Sequence, residues 1–395
     1  MKQIKEVYII GAVRTPVGSF LGSLSSVPAT KLGSIVIKAL LERNNFPTNK
    51  IDEVIMGNVV TAGEGQAPAR QAALGAGIDT STQCMTINKV CGSGLKSVML
   101  GAQAIMLGDA EVVIAGGMEN MSQIPFYVKN VRGGYKMGDQ KMIDGMLDDG
   151  LIDAYDKTHM GNFAELCAAE YNITREEQDT FAIESYNRAL KAIKDKKFIK
   201  EIVPVEVSGR KGTVNIVDTD EDPAKVNFDK LKTLRPVFQK DGTVTAANAS
   251  SINDGAAAVL LMSKEKVEEF GLKPMAKIIE QASAAKDPKW FTTAPVDAIN
   301  KVLNKASLNK DDIDLFEINE AFAVVSLVVN KQLSLDPEKV NINGGAISLG
   351  HPIGASGARI LTTLLHAMNE KKAKRGLASL CIGGGEASSL IVEMD

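Results

Sequence analysis

Ile51-Asp52-Glu53-Val54-Ile55-Met56-Gly57-Asn58 has an echo in Ile313-Asp314-Leu315-Phe316-Glu317-Ile318-Asn319, 262 residues later (313 − 51). Each run follows a helical stretch, one passing through Leu40 and Leu41 and the other through Val302 and Leu303. Further along, Gly92-Ser93-Gly94 and Ala355-Ser356-Gly357 each open a helix, at an offset of 263 (355 − 92). Val112-Val113-Ile114-Ala115-Gly116-Gly117 and Leu377-Ala378-Ser379-Leu380-Cys381-Ile382-Gly383 then read as strands that end in glycine. Similar apolar words in the same order at a nearly constant offset point to a duplicated unit of strand, helix and strand. The fold class is therefore α/β, with two similar layered halves and buried strands.

Two glycine-lined turns in those halves carry chemistry. In Asn88-Lys89-Val90-Cys91-Gly92-Ser93-Gly94-Leu95-Lys96 a thiol sits at the mouth of a helix whose apolar face runs through Leu95, Val98, Met99, Ala102, Ile105 and Met106. Free N–H groups and the positive end of the helix dipole favour thiolate there, which predicts a nucleophile. On the local pattern alone, a buried structural cysteine fits equally well. Gly350-His351-Pro352-Ile353-Gly354-Ala355-Ser356-Gly357-Ala358-Arg359 opens the second helix, and Leu380-Cys381-Ile382-Gly383-Gly384-Gly385-Glu386 follows it. Taken singly, His351 reads as a structural or surface histidine. Asn319-Glu320-Ala321-Phe322 is the third element of this set.

Between the halves, residues 120–249 read differently, as an inserted loop domain. It contains Arg132-Gly133-Gly134-Tyr135, a polar helix from Arg175 to Lys197 and a charged stretch from Asp218 to Lys225. Thr174 and Glu177 form a capping box at the start of that helix, and Phe181, Ala182, Ser185, Tyr186, Ala189 and Leu190 give it an apolar stripe for packing. The expected division is 1–119 with 250–272, 120–249, and 273–395.

With 395 residues, 45% hydrophobic, the chain is long enough for two or three domains with a substantial core. No uninterrupted apolar run is long enough to span a bilayer, so no membrane association is expected. The net charge of −3 and pI near 5.8 give no broad basic field, and nucleic acid is not an expected partner. Val7-Tyr8-Ile9-Ile10 begins a strand almost at once, which leaves no room for a cleavable signal. Four cysteines, at 84, 91, 167 and 381, lack zinc-type pairs and are too sparse for a disulfide scaffold. No metal is expected, and a reducing, cytoplasmic location is.

The strings NKVCGSGLK, NEAFA, GGAISLGHPIGASGAR and CIGGG, in that order, resemble the thiolase family, and the similarity extends over essentially the whole chain. The resemblance implies two halves with helices sandwiched between sheets, and an insertion that covers the substrate and carries much of the coenzyme A site. It implies reversible condensation of two acetyl-CoA to acetoacetyl-CoA plus CoA through an acetyl-cysteine (acetyl-CoA C-acetyltransferase). A broader degradative 3-ketoacyl-CoA thiolase and a non-catalytic acyl-CoA-binding protein are the alternatives. No tightly bound cofactor is implied, with coenzyme A serving as cosubstrate, and the assembly implied is a homotetramer with contacts near Gly133 to Gly138.

Residue by residue, Cys91 matches the family nucleophile, His351 its activating base and Cys381 the acid/base at the α-carbon. Asn319 matches the residue that orients a water beside the enolate. The N–H groups of Cys91 and Gly383 match a second oxyanion site. His159 and Met160 in Thr158-His159-Met160-Gly161, Ala249 and Ser250 in Ala246-Ala247-Asn248-Ala249-Ser250-Ser251, Leu151 and Phe322 correspond to the acyl and pantetheine tunnel. Lys225 falls near the nucleotide position. Phe291 resembles the aromatic residue of mitochondrial-type acetoacetyl-CoA thiolases, some of which accept 2-methylacetoacetyl-CoA and respond to potassium. Leu166 and Glu386 depart from the family pattern, and Glu386 is expected to face solvent.

Overall fold

A computed structural model describes residues 4–209 and 212–394. Met1 to Gln3, Arg210, Lys211 and Asp395, which belong to the three expected segments, lie outside the described residues. The principal strands are β1 (Val7–Arg14), β2 (Glu53–Gly57), β3 (Gln83–Ile87), β4 (Val112–Asn120), β5 (Asn253–Ser263), β6 (Ala276–Ala285), β7 (Leu315–Ile318), β8 (Arg375–Ile382) and β9 (Glu386–Glu393). The helices that matter here are α1 (Ala29–Arg43), α2 (Ser93–Leu107), α3 (Met160–Glu170), α4 (Arg175–Lys194), α5 (Ala294–Ala306), α6 (Ala323–Leu333) and α7 (Ser356–Lys371).

The strands run side by side in the order β7-β8-β9-β6-β1-β5-β4-β2-β3. Only two residue pairs, Tyr8 with Lys277 and Ile9 with Ala276, join β1 to β6, so this is where one half hands over to the other. The amino-terminal half pairs β2 in parallel with β3 and β4, and β5 antiparallel with β4 and β1. The carboxyl-terminal half pairs β7 in parallel with β8, and β9 antiparallel with β8 and β6. A parallel bridge from Phe316 to Val340 stands where β3 pairs with β2. Register matches as well as order: Glu53 lies beside Val113 and Leu315 beside Gly376, offsets of 262 (315 − 53) and 263 (376 − 113). The duplication seen in the sequence is thus present pair by pair in the sheets.

Side chains alternate across each strand, and the alternation sorts the core into layers. Val112, Ile114 and Met118 of β4 pack with Leu32, Val36, Ile37 and Leu40 of α1 on the outer face. Val113 and Ala115 turn inward to α2 and α7, and Leu380, Ile382, Leu390 and Val392 close the same central layer from the other sheet. Phe316, Leu377 and Ile391 face outward against Ile299, Val302 and Leu303 of α5 and Val324, Val325 and Val328 of α6. Strands covered on both faces explain the continuous apolar runs.

The two central helices meet at their first turns, where glycine is required by space. A Cβ on Gly94 would come within 2.7 Å of the Ala358 backbone nitrogen, and one on Gly357 would collide with the backbone of Leu95. The segment Val90–Leu107 reaches the length and mean hydropathy, 1.3, of a membrane span, although Ser93, Lys96, Ser97 and Gln103 interrupt its apolar run. Its helix is nevertheless core, because nine of its fifteen residues are buried between the sheets. The insertion supplies α3 and α4, and the capping box of Thr174 and Glu177 is formed as expected.

Candidate active site

Cys91 stands at a sharp turn between β3 and α2. Val90, just before it, holds φ at +46°, which a β-branched side chain adopts only under constraint. The turn is closed by Ser93, whose hydroxyl donates to the Val90 carbonyl at 2.7 Å and accepts from Lys89 N–H at 2.8 Å. Ser356 is the repeat equivalent of Ser93, at an offset of 263 (356 − 93), and it performs the matching task in the other half. Its hydroxyl donates to the Pro352 carbonyl at 2.8 Å and lies 2.5 Å from Nδ1 of His351. A carbonyl only accepts, so the single serine proton goes to Pro352 and Nδ1 of His351 must carry its own proton. The other ring nitrogen, Nε2, is left with a free lone pair, buried and without a partner. That is the tautomer a general base needs.

Cys91, His351 and Gly383 line one cavity of about 520 Å³. The backbone N–H groups of Gly383 and of Cys91 itself point at the Cys91 sulfur. Burial outweighs both and pushes the thiol up to about 11, with Glu119 adding to the rise. Burial, reinforced by the Arg359 charge, pushes His351 down to about 3. The resting pair is therefore thiol and neutral imidazole. This corrects the expectation that helix dipole and amide groups favour thiolate, because desolvation of a small anion is the larger effect.

Cys381 is buried, and its thiol is raised by burial and by its neighbours Cys91 and Cys167. Its side chain faces the outer layer with Phe316 and Ile391, while Leu380 and Ile382 face the centre. Asn319 directly follows β7, its backbone N–H tied to the Ser379 carbonyl at 3.0 Å. Its Oδ1 faces Arg359 Nη2 at 3.5 Å, and its Nδ2 is buried without a protein partner. A buried donor left open in this way suits an oxygen of substrate or water.

Loops around the site are pinned by buried polar side chains. Glu119, at the end of β4, accepts from the N–H groups of Val59, Val60 and Gly354 at 2.9, 3.1 and 2.9 Å, joining the loop after β2 to the histidine turn. Asn253 Oδ1 accepts from His351 N–H at 2.9 Å. Glu320 accepts from Ser185 at 2.7 Å and from Asn341 at 2.9 Å, which ties α4 to the NEAFA turn.

Leu151, His159, Met160, Ala249, Ser250, Phe291 and Phe322 all line the same cavity. His159 caps α3, its Nδ1 accepting from Gly161 N–H at 3.0 Å, and burial lowers its affinity for a proton. Its ring stacks on Phe238 at 4.7 Å. Phe238 in turn meets Phe322 edge-on at 6.4 Å, and Phe322 meets Phe291 at 6.3 Å, so one wall is an aromatic row. Lys225 is outside this lining: its ammonium is held by Glu221 at 2.7 Å and Ser19 at 2.6 Å. Among the described residues no group of three or more His, Cys, Asp or Glu could hold a metal ion.

The model of the thiolase amino-terminal domain matches residues 7–265, and that of the thiolase carboxyl-terminal domain matches residues 272–394. The chain belongs to the thiolase family. Similar proteins include the acetyl-CoA acetyltransferase of Schizosaccharomyces pombe, 57% identical over 98% of each chain. That of Cupriavidus necator is 55% identical, over 98% of this chain and 99% of its own. The crystal structure of the Acat5 thiolase from Ascaris suum in complex with coenzyme A superposes with a TM-score of 0.94 at 46% identity, covering 99% of this chain and 100% of that one.

Several residues of this thiolase site were not singled out from the sequence. Phe238 sits in a stretch with no periodicity to mark it. Glu119 and Asn253 stand at the polar margins of apolar runs, beside Asn120 and Asp254, and nothing local marks them as braces of the site. Ser356 was within reach, since the repeat places it opposite Ser93. Glu386, expected to face solvent, instead pairs with Lys89 while keeping 36% of its side chain exposed. Leu166 is a surface residue of α3 outside the cavity.

Proposed function

We propose that this thiolase is an acetyl-CoA C-acetyltransferase that works through an acetyl group carried on Cys91. The observation that carries the reading is the neutral pair in one cavity: a thiol under two converging N–H groups, and an imidazole whose bare Nε2 is set by Ser356. The acetyl-CoA acetyltransferase name of relatives above half identity supports the substrate assignment.

In the first half-reaction, His351 Nε2 takes the Cys91 proton as the sulfur attacks the thioester carbonyl. Neither ion is stable alone, so proton transfer and C–S bond formation proceed together. The oxyanion is received by the N–H groups of Cys91 and Gly383, and collapse expels coenzyme A as a thiolate that takes the Cys381 proton, while His351 keeps the Cys91 proton on Nε2. Each such donor contributes on the order of 3 kcal/mol. In the second half-reaction the Cys381 thiolate left by that transfer removes an α-proton from a second acetyl-CoA and is a thiol again. The enolate oxygen accepts from the protonated Nε2 of His351 and from a water on Asn319 Nδ2, and its carbon attacks the acetyl-cysteine. Collapse breaks the bond to Cys91, His351 returns the proton to its sulfur, acetoacetyl-CoA leaves, and the same steps in reverse are thiolysis.

The aromatic row and Met160 narrow the acyl end and favour a short chain, while Leu151, Ala249 and Ser250 border the pantetheine path. We assign 1–119 with 250–272 and 273–395 to the two catalytic halves and 120–249 to the cover. A tetramer is proposed from the family and from the exposed apolar arm of the insertion, where Met137 is 94% and Met142 68% exposed. A cytoplasmic location is proposed because the free thiols of the site need a reducing medium. Mixing the protein with acetyl-CoA and mapping the adduct by peptide mass spectrometry tests the scheme. One acetyl group on Cys91, released by added coenzyme A, is expected; an unmodified Cys91 refutes it.

A further inference from the structure

The two N–H donors that converge on the Cys91 sulfur come from opposite halves of the duplicated chain. One belongs to the turn between β3 and α2, the other to the triple-glycine turn between β8 and β9. Their separation therefore depends on how those two turns are held together. In the triple-glycine turn Gly384 and Gly385 have φ of +90° and +86°, so that turn has little stiffness of its own. On its far side it is anchored to the end of β6, with Lys286 N–H donating to the Gly385 carbonyl at 2.8 Å. On the near side, Gly92 leaves just enough space for Ile382, and Val90 Cγ1 lies 3.4 Å from where a Gly383 side chain would begin. The direct polar tie across this seam is the ion pair of Lys89 and Glu386, residues 297 apart in sequence. Lys96, one turn into α2, has its ammonium disfavoured first by burial and then by Lys89, and favoured by Glu386.

We infer that the Lys89–Glu386 ion pair is a positioning element which sets the spacing of the Cys91 and Gly383 N–H groups around the thioester oxygen. Lys89 is two residues before one donor and Glu386 three residues after the other, so closing the pair closes the gap between the donors. Neither side chain lines the cavity, so a change in KM is not the expected effect of breaking the pair. The inference rests on the acetyl-transfer reading above and adds to it residues whose effect is on the chemical step.

The test compares Lys89→Met, Glu386→Gln, the double variant and the charge exchange Lys89→Glu with Glu386→Lys, together with the conservative Lys89→Arg. Thiolysis of acetoacetyl-CoA gives kcat and KM, a single turnover with acetyl-CoA gives the rate of Cys91 acetylation, and thermal unfolding reports the fold. Each single neutral variant is expected to lower kcat and the acetylation rate about 3- to 10-fold, with KM changed less than about 2-fold. Glu386→Gln is expected to cost more, since it leaves both Lys89 and Lys96 without the carboxylate. The double variant is expected to be no slower than the worse single one, and the exchange and Lys89→Arg to recover most of the rate. Single variants at the wild-type rate, losses that multiply in the double variant, or a rise in KM alone would overturn the inference. A loss of rate that tracks a loss of thermal stability across all variants would overturn it too. Absence of Cys91 acetylation in the unmutated chain would instead remove the acetyl-transfer reading itself.

Discussion

Ser356→Ala isolates one hydrogen bond and asks what it does. The Ser356 hydroxyl is fully buried and accepts the Nδ1 proton of His351 at 2.5 Å while donating to the Pro352 carbonyl. That carbonyl also receives the N–H groups of Ala355 and Ser356, each at 2.9 Å, so it keeps two partners when the hydroxyl is removed. Damage is thus confined to the imidazole, which loses the only acceptor its Nδ1 proton has among the described residues. An unsatisfied buried donor costs about 1–3 kcal/mol. At about 1.4 kcal/mol per factor of ten, the competing tautomer with the proton on Nε2 gains about 5- to 150-fold. Since that tautomer has no lone pair towards Cys91, the rate of Cys91 acetylation in a single turnover with acetyl-CoA should fall more than about 2-fold, by at most the same factor as the tautomer ratio shifts. Unfolding in urea should lose no more than about 3 kcal/mol, and Ser356→Thr, which keeps the hydroxyl, should recover part of the rate. Acetylation in Ser356→Ala within 2-fold of wild type would refute the tautomer argument.

The ionisation of His351 gives a second prediction, on stability. Its folded value, about 3, lies below the usual 6.5, so the unfolded chain binds the extra proton between those values and stability is lost as pH falls through that window. His351→Asn should lose about 1.4 kcal/mol less per pH unit than wild type between pH 6 and 4, read from urea midpoints at each pH; parallel curves would argue against a neutral buried imidazole. Phe238→Ala removes the ring stacked on His159 and should raise KM for coenzyme A about 10-fold, with a smaller change in kcat, in steady-state thiolysis. Glu119→Gln sets an amide where three N–H groups need acceptors; denaturant unfolding should show a loss of about 2–3 kcal/mol, and an unchanged midpoint would contradict the bracing role. Gly357→Ala should destabilise the chain by about 3 kcal/mol or prevent folding, since the added methyl meets the backbone of Leu95.

The repeat was legible because an α/β half announces itself twice: strand words, helix openings and their offsets all recur, and the sheet registers follow those offsets to within one residue. Cys91, His351, Cys381 and Gly383 were singled out by the glycine-rich turns around them, and Asn319 by the resemblance of its NEAFA string. The electrostatics were not. Helix termini argue for thiolate, and only the packing around Cys91 tells that desolvation is larger. Nor could the sequence join Lys89 to Glu386, since a contact across 297 residues has no local signature. The tunnel wall was found where a motif marked it, at His159, Ser250 and Phe322, and missed at Phe238, which lies in a loop whose path is fixed only by tertiary packing. Apolar pattern alone likewise leaves open whether Val90–Leu107 crosses a bilayer or a protein core, and the two enclosing sheets decide it.

Steady-state thiolysis of acetoacetyl-CoA against a long-chain 3-ketoacyl-CoA, with Cys91→Ala as the blank, tests the central claim most directly. Selective turnover of acetoacetyl-CoA that vanishes in the blank is predicted by the short aromatic-walled cavity and the Cys91 nucleophile. Equal rates on both substrates would contradict the acetyltransferase assignment in favour of a broader degradative thiolase, and activity surviving in the blank would contradict the covalent scheme.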